Sequence, residues 1–394
     1  MHITLIAGAR PNFMKVAALV HAVERYNAQK PTSDSSLRGR EKRVEYSLVH
    51  TGQHYDKNMS DTFFEELGIP APDMNLGCGG GSQAEQTAAI MVAFEKYLME
   101  HPTDVVVVVG DVTSTMACSI VAKKLNTKVC HVEAGIRSWD LTMPEEINRM
   151  VTDSLADYMF TTSEVANANL ERHGAVRNKN FWFVGNVMID TLLANRARFR
   201  KPEVWDMLGL KEKEYIVLTM HRPANVDEEN HLRAIMEQIV DNAHGLPIIF
   251  PIHPRTAKIF KYLWKPTPSP SLKGGEVEGS EDWMVKRFPN LHIVEPMGYL
   301  EFNYLVERAK AVVTDSGGIT EETTVMGVPC ITLRDNTERP ETCTVGTNEL
   351  IGTKPEAIKP ALDKLFAGEW KKGAIPELWD GRAADRIIRV LADF

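Results

Sequence analysis

Several features that define other protein classes are scarce in this chain of 394 residues. It has only five cysteines, an odd number with no CxxC spacing, which argues against a disulfide framework or a cysteine zinc site. The most apolar strand-like run, Val105–Val109, is far shorter than the ~20 residues that span a bilayer. Acidic residues outnumber basic ones by 53 to 45, and no long basic run occurs, which argues against nucleic acid or a membrane surface as the main partner.

Two nucleotide-binding signatures are also missing. The glycine-poor GARPNF follows the first strand-like run, so there is no GxGxxG fingerprint, and no GxxxxGK[ST] loop occurs anywhere. We therefore expect neither a dinucleotide cofactor nor ATP-driven chemistry, and we predict no metal. The first apolar run is interrupted by Arg10 and Pro11, which is unlike a signal peptide. We expect a soluble, cytoplasmic protein with reduced cysteines.

Short apolar runs alternate along the chain with amphipathic stretches, in two sets. Continuous β-branched runs such as Val105–Val109 are typical of parallel strands buried on both faces, and the alternation predicts right-handed βαβ units. The fold class is therefore α/β, with two Rossmann-like doubly wound domains facing a central cleft. The predicted helices include Pro11–Arg25, Ser114–Leu125, Glu228–Ala243 and Thr320–Met326.

We predict domain limits from the same pattern. The N-terminal domain spans 1–186 and the C-terminal domain 187–375, and a last helix in 376–394 packs back on the N-terminal domain. Two stretches rich in Pro, Ser, Gly and charge, Asn27–Lys42 and Lys265–Asp282, are predicted to be surface loops.

Polar residues collect just after the strands, where α/β domains carry their chemistry. Most of these residues also have a purely structural explanation. Arg10 and Lys15 could be solvated residues at a helix start, and Asp111 could cap a helix. The acids after Pro144 could form an ordinary first helical turn, and His221 could be a hydrogen-bonded histidine at a strand end. Their shared position after strands favours a functional role. The residues concerned are Arg10, Lys15, Asp111, Glu133, Glu145, Glu146 and His221.

The segment DSGGITEE is the most informative. Ser316, Gly317 and Gly318 lie between a strand and a helix, where free backbone N–H groups and the helix dipole attract an anion. Glu321 or Glu322, one turn later, could accept hydrogen bonds from sugar hydroxyls, and the planar guanidinium of Arg339 could bind a diphosphate. The segment suits a nucleoside diphosphate.

Seven motifs in this order and spacing carry a resemblance to a known family: GARPNFMK, TGQHYDKNMSDTFFEELGI, GDVTST, HVEAG, PEEINR, HRPANVD and DSGGITEE with RDNTERPE. Together they resemble the non-hydrolysing UDP-N-acetylglucosamine 2-epimerases, over nearly the whole chain. The resemblance implies a fold like that of GT-B glycosyltransferases, a homodimer, a role in polysaccharide biosynthesis, and interconversion of UDP-N-acetylglucosamine and UDP-N-acetylmannosamine.

The family's chemistry is elimination of UDP across C1–C2 to 2-acetamidoglucal, followed by readdition. That route needs carboxylates near C2 and groups that stabilise departing UDP. By motif, Asp111, Glu133 and Glu145 are similar to the family's acid/base carboxylates, and His221 to the histidine that helps UDP depart. The matched UDP-sugar contacts are Arg10, Lys15, Phe302, Ser316, Gly317, Gly318, Glu322 and Arg339.

Three departures from the family pattern concern the substrate, activation by the substrate and the contact with the uracil, and the first leaves the substrate open. The stretch from Glu133 to Glu145 is shorter than in many members specific for UDP-N-acetylglucosamine, and its RSWDLTMPEEINR form resembles the branch acting on UDP-2,3-diacetamido-2,3-dideoxyglucuronate. Asp56 stands where members activated by their own substrate tend to have glutamine, although Gln53, His54 and His253 are present. Met297 replaces a glutamine often found near the uracil.

Three rival functions share parts of this pattern. A GT-B glycosyltransferase would need an acceptor groove and does not explain three carboxylates after strands of the first domain. A hydrolytic epimerase would differ around GARPNF. A non-catalytic nucleotide-sugar sensor would have no reason to keep Asp111, Glu133, Glu145 and His221.

Overall fold

The computed structural model describes residues 1–29, 43–52, 66–172, 180–252, 256 and 287–394, with residues 10 and 11 by their backbone alone. These ranges form two compact units, Met1–Ala197 with Pro376–Phe394, and Arg198–Ile375. Searched over the same ranges, the chain has no helix that is long and apolar enough to cross a membrane.

The first unit alternates strands with helices almost throughout. Its described elements are β1 (His2–Ala7), α1 (Arg10–Ala28), β2 (Glu45–His50), β3 (Met74–Asn75), α2 (Gln83–Glu100), β4 (Val105–Val109), α3 (Thr113–Lys124), β5 (Lys128–Val132), α4 (Pro144–Leu155), β6 (Tyr158–Thr161), α5 (Glu164–Arg172), β7 (Asn180–Phe183), α6 (Val187–Asn195) and α14 (Ala383–Ala392).

The strands of the first unit form one parallel sheet in the order β3-β2-β1-β4-β5-β6-β7. The five valines of β4 are at most 1% exposed, as expected for a central strand covered on both faces. The order reverses between β1 and β4, which pair with Ile3 opposite Val105. Such a reversal opens a crevice beyond the carboxyl ends of the two strands.

The second unit repeats the pattern. Its described elements are α7 (Glu203–Met207), β8 (Ile216–Thr219), α8 (Pro223–Val226), α9 (Glu229–Asp241), β9 (Ile248–Pro251), β10 (Leu291–Val294), α10 (Tyr299–Arg308), β11 (Ala311–Thr314), α11 (Gly317–Met326), β12 (Cys330–Thr332), α12 (Pro340–Thr344), β13 (Asn348–Leu350) and α13 (Ile358–Phe366), with short 3₁₀ turns at Arg196–Arg198 and Pro355–Ala357.

The second sheet is also parallel, in the order β10-β9-β8-β11-β12-β13. Its reversal point lies between β8 and β11, where Thr219 pairs with Thr314. Apolar side chains cover both of its faces, one core around Ile235 and Phe250 and the other around Tyr215 and Leu305. The predicted α/β class with two doubly wound sheets is confirmed.

The observed division of the chain differs from the predicted limit after residue 186. Helix α6 belongs to the first unit, because Thr191 donates to the carbonyl of Met14 at 2.5 Å. Asp190 on the same helix accepts the backbone N–H groups of Ala383 and Ala384, at 3.1 and 2.7 Å, and so caps α14. Side-chain contacts that sequence periodicity does not show therefore move the limit to Ala197.

Two predicted segments also have different limits. Helix α11 starts at Gly317 rather than Thr320, so both glycines lie in its first turn. The predicted loop Asn27–Lys42 begins inside α1, where the Asn27 side chain donates to the carbonyl of Val44 at 2.7 Å. Residues 30–42 and the predicted loop Lys265–Asp282 lie outside the described residues.

Candidate active site

The polar residues of the first unit gather where β1, β4 and β5 end. Lys15 is on α1, Asp111 follows β4, and Glu133 follows β5. Asn12 joins these segments, because its amide donates to the carbonyl of Val109 at 3.0 Å and accepts the N–H of Ala9 at 3.1 Å. The start of α1 is thereby attached to the end of β4.

Lys15 and Glu133 form a buried ion pair at this edge. Lys15 Nζ lies 2.6 Å from Glu133 Oε2, and the two side chains are 12% and 2% exposed. Glu133 adopts φ +70, an uncommon conformation for a residue with a side chain, and one that is enriched at functional sites. Gly110 lies beside the pair at φ +71, and a Cβ there would stand 3.2 Å from Lys15 Nζ. Glycine therefore allows the pair to lie against the backbone.

Asp111 forms an ion pair with Arg149 of α4 and is partly exposed. Burial raises the pKa of Asp111, but the Arg149 and Lys15 cations outweigh it, so the pKa lies below its ordinary value. The helix-cap alternative for Asp111 is not what forms, since α3 begins at Thr113 with Val112 as its cap residue and no side-chain cap. Asp111 is instead an ionised carboxylate on the crevice edge.

Glu145 and Glu146 are neighbours in the first turn of α4 with opposite surroundings. Glu146 is fully buried, and it accepts hydrogen bonds from Ser138 and from the N–H of Trp139 and pairs with Arg149 at 2.8 Å. Glu145 is exposed, and no hydrogen bond or ion pair among the described residues joins it to Asp111 or Glu133. Glu146 therefore holds the preceding loop, and Glu145 is the acid that faces solvent.

In the second unit, His221 follows β8 and forms a pair with Asp315. His221 Nδ1 lies 3.0 Å from Asp315 Oδ1, with the imidazole half exposed and the carboxylate fully buried. Burial raises the pKa of Asp315, but the contacts with His221 and the N–H of Arg222 outweigh it and lower the pKa below its ordinary value. The ionised Asp315 accepts a hydrogen bond from the Nδ1–H of His221, so Nε2 is the ring nitrogen that this pair leaves available to a ligand.

The N-terminus of α11 lies at the same edge of the second sheet. Ser316 is the cap residue, its side chain makes no cap hydrogen bond, and Gly317 and Gly318 open the helix. A Cβ on Gly317 would stand 3.8 Å from Arg334 Nη1, so a guanidinium flanks this turn. Backbone N–H groups, the helix dipole and an arginine together suit an anion.

Three further predicted residues of this unit are buried or half-buried. Glu322 accepts a hydrogen bond from the Tyr299 hydroxyl at 2.9 Å, and burial raises the pKa of Glu322 to about 7. Arg339 forms an ion pair with Glu321 and is 10% exposed, so its guanidinium is held by a carboxylate of α11. Phe302 packs at the edge of the core around Tyr215.

Some of the predicted site residues lie at the reversal points of the two sheets. Lys15, Asp111 and Glu133 meet in the first unit, where Arg10 begins α1 and its side chain lies outside the description. His221 and Ser316 follow β8 and β11 in the second unit. Among the described residues, Glu145 has no hydrogen bond or ion pair with the first group. The possible activating residues Gln53, His54, Asp56 and His253 also fall outside the described residues. Within the described ranges, no group of three or more His, Cys, Asp and Glu side chains could hold a metal ion.

Comparison with known proteins agrees with the resemblance found in the sequence motifs. The sequence model of UDP-N-acetylglucosamine 2-epimerases matches residues 37–392. The chain belongs to the UDP-N-acetylglucosamine 2-epimerase family.

Two curated relatives of this epimerase family align with almost the whole chain. The UDP-N-acetylglucosamine 2-epimerase of Methanocaldococcus jannaschii is 38% identical over 398 residues, covering 99% of each chain. The UDP-2,3-diacetamido-2,3-dideoxy-D-glucuronate 2-epimerase of Pseudomonas aeruginosa is 34% identical over 399 residues, covering 100% of this chain and 99% of the other. A solved structure of the M. jannaschii enzyme, in complex with UDP-N-acetylglucosamine and UDP, superposes with a TM-score of 0.82 at 37% identity and covers 100% of both chains.

Sequence reasoning missed three partners of the candidate site residues. Arg149 pairs with Asp111, Asp315 with His221, and Tyr299 with Glu322. Arg149 and Asp315 lie within the motifs PEEINR and DSGG, so the signal was a charged residue with no assigned role. Tyr299 carried no such signal, because its hydroxyl meets Glu322 only through tertiary packing.

Proposed function

We propose that this enzyme interconverts UDP-N-acetylglucosamine and UDP-N-acetylmannosamine without net hydrolysis, by eliminating and re-adding UDP. The observation that carries the mechanism is the convergence of Asp111, Glu133 and Lys15 at the reversal point of the first sheet. Two carboxylates and a cation close together suit proton removal from carbon and its return. They have no evident use in a protein that only binds UDP-sugars.

The reaction consists of two steps, elimination of UDP and its readdition. A carboxylate takes the proton from C2, the C1–O bond breaks, and UDP leaves with the electron pair, so that C1 and C2 form the double bond of 2-acetamidoglucal. A UDP oxygen then attacks C1 and a proton is delivered to the opposite face of C2. C2 is not next to a carbonyl, so its proton is too weakly acidic to be removed without loss of UDP.

We assign the acid/base roles to the first unit. Asp111, Glu133 and Glu145 exchange protons with C2, and Lys15 holds the Glu133 carboxylate in place through the ion pair. Asp111 is ionised at neutral pH, as a base must be, although its lowered pKa also makes it a weaker base than an ordinary carboxylate. Exposure of Glu145 supports contact with a bound ligand rather than with the protein.

We assign UDP binding and departure to the second unit. Ser316, Gly317 and Gly318 bind the diphosphate at the start of α11, with Arg339 as a cation. His221, held at Nδ1 by Asp315, donates a hydrogen bond from Nε2 to departing UDP, a step that requires the imidazolium because its other N–H is already given to Asp315. Glu322 binds the ribose hydroxyls and Phe302 packs near the uracil.

A second substrate, UDP-2,3-diacetamido-2,3-dideoxyglucuronate, is supported by a specific observation. The P. aeruginosa enzyme named for that substrate is 34% identical over 399 residues, and the RSWDLTMPEEINR segment resembles the branch of the family that acts on it. The chemistry at C1 and C2 would be unchanged, because the additional acetamido and carboxylate groups lie elsewhere on the ring.

Proton NMR of the purified protein with UDP-N-acetylglucosamine in D2O tests the proposal. We expect UDP-N-acetylmannosamine that carries deuterium at C2. Glu133→Gln should abolish turnover while UDP still binds, and unchanged turnover in that variant would overturn the mechanism. If only the diacetamido-uronate reacts, the second substrate is the correct one. If neither sugar reacts, the protein is a sensor rather than an epimerase.

We also propose a homodimer and a cytoplasmic location. The dimer is supported by the exposed Val92 and Met99 on α2, at 56% and 70% exposure. Sedimentation velocity tests the dimer, and a monomer at micromolar concentration would contradict it. Cell fractionation tests the location.

A further inference from the structure

A cluster of three ionisable side chains lies beneath the carboxylates of the first unit. It consists of His131 on β5, Arg137 in the loop after β5, and Asp153 on α4, which are at most 4% exposed. His131 Nδ1 lies 2.7 Å from Asp153 Oδ1, and Arg137 Nη2 lies 2.6 Å from Asp153 Oδ2. The proposed reaction assigns none of these residues a contact with substrate.

The outer hydrogen bonds of this cluster end on the backbone that carries the proposed acid/base residues. His131 Nε2 lies 2.9 Å from the carbonyl oxygen of Gly110, the residue before Asp111. Asp153 Oδ2 accepts the N–H of Gly135, two residues after Glu133, at 3.1 Å. One cluster therefore holds both loops.

The two glycines at these contacts have unusual backbone conformations. Gly110 has φ +71 and Gly135 has φ +77, and a Cβ on Gly135 would collide with the carbonyl oxygen of Ala166 at 2.3 Å. Turns of this kind direct the following side chains only if the backbone is held firmly. Hydrogen bonds from a buried charged cluster provide that restraint.

Stability alone is a poor explanation for the cluster. Taking three ionisable groups out of water is costly, and apolar replacements of similar volume are often as stable or more stable. Burial raises the pKa of Asp153, but His131 and Arg137 outweigh it and lower the pKa below its ordinary value. Both ring nitrogens of His131 lie within hydrogen-bond distance of oxygen atoms, so the ring is held at both ends.

We propose that His131, Arg137 and Asp153 are positioning residues that set the relative placement of the Asp111 and Glu133 carboxylates for proton transfer at C2. This inference rests on the proposed function. The residues act through the Gly110 and Gly135 backbone and contact neither the sugar nor UDP. Their loss should therefore reduce the chemical step while UDP affinity, assigned to the second unit, is retained.

Asp153→Asn is the main test, because asparagine keeps the shape and removes the charge. We expect kcat to fall about 10- to 100-fold, the size of effect that small misplacement of catalytic groups produces. The Kd for UDP from calorimetry should stay within about twofold, because the diphosphate site does not depend on these loops. Amide exchange at Gly135 should become faster, since its acceptor loses charge.

Asp157→Asn is the matched control. Asp157 also accepts a backbone N–H, that of Val129 at 2.8 Å, and pairs with Lys123, but it does so at the other end of β5. We expect its kcat to stay within about twofold of the wild type. An equal fall in kcat in both variants, or an unchanged kcat in Asp153→Asn, would overturn the positioning role.

A second pair of variants tests the positioning role if Asp153→Asn does not fold. Arg137→Lys keeps the cation beside Asp153, whereas Arg137→Met removes it, and kcat should be higher for lysine than for methionine at equal UDP affinity. Equal kcat values would overturn the inference. Absence of turnover in the wild type with either sugar would instead refute the proposed function, and Gly135 exchange would then still report whether the cluster restrains the loop.

Discussion

Glu341, on the first turn of α12, should make the second unit less stable as the pH rises. Its side chain is buried at 6% exposure. Burial raises the pKa of Glu341 from its ordinary 4.5 to about 7, although Arg339 nearby lowers it in part. The folded state therefore keeps the proton to a higher pH than the unfolded state does. Stability from this group is greatest below about pH 4.5 and is lost as the pH rises to about 7.

The size of the effect follows from the two pKa values. A difference of about 2.5 corresponds to about 3 kcal/mol of unfolding free energy at pH 8, and to about 1 kcal/mol or less at pH 5. Glutamine has nearly the same shape and stays neutral. Glu341→Gln should therefore stabilise the second unit by up to about 3 kcal/mol at pH 8 and have little effect at pH 5.

Hydrogen exchange at the Val312 and Val313 amides of β11 measures the stability of the second unit, because both residues are fully buried in its sheet. The opening free energy is compared at pH 5 and pH 8, and a probe in one unit avoids the two-state assumption for the whole chain. Glu349→Gln is the control. Glu349 pairs with Lys364 and is partly exposed, so its loss should cost under about 1 kcal/mol at both pH values. If Glu341→Gln is no more stable than the wild type at pH 8, the burial argument is refuted.

Two further predictions concern the site. Asp315→Asn should lower kcat at least about tenfold with little change in UDP affinity, because His221 loses the carboxylate that orients its ring and stabilises the imidazolium. Steady-state kinetics with calorimetry checks this, and an unchanged kcat would contradict it. Gly110→Ala should lower both melting temperature and kcat, because φ +71 costs about 1–2 kcal/mol and the new Cβ meets Lys15 Nζ at 3.2 Å. Gly77→Ala, at φ +66 with nothing within 4 Å, bears only the backbone cost, so equal effects would argue against a role for the Lys15 contact.

The sequence was sufficient to predict the architecture, because a strand that is buried on both faces is recognisable as a continuous apolar run. A continuous run such as Val105–Val109 identifies a central parallel strand, and the intervening amphipathic stretches identify crossover helices. Since parallel strands end at one edge, the residues after β1, β4 and β5 were expected to lie together. Lys15, Asp111 and Glu133 do lie together.

The sequence does not show which of two neighbouring residues is buried and which is exposed. Glu145 and Glu146 differ only by the rotation of about 100° between successive helical residues. Which of the two faces the loop at Ser138 depends on how α4 packs, and the structure buries Glu146 and exposes Glu145. The predicted end of the first unit differs from the observed one for the same reason, because tertiary contacts of Asp190 and Thr191 attach α6 to the first unit.

By itself the sequence determined the α/β class, the two sheets, the edges that carry polar residues and the family. Periodicity, strand-end position and motif order are all local properties of the chain. Only the tertiary structure decided which charges pair: Arg149 with Asp111, Asp315 with His221, and Asp153 with both His131 and Arg137. The physical reason is that a buried charge is stabilised by partners brought to it from distant segments, and their identity depends on distances and directions that no local pattern specifies.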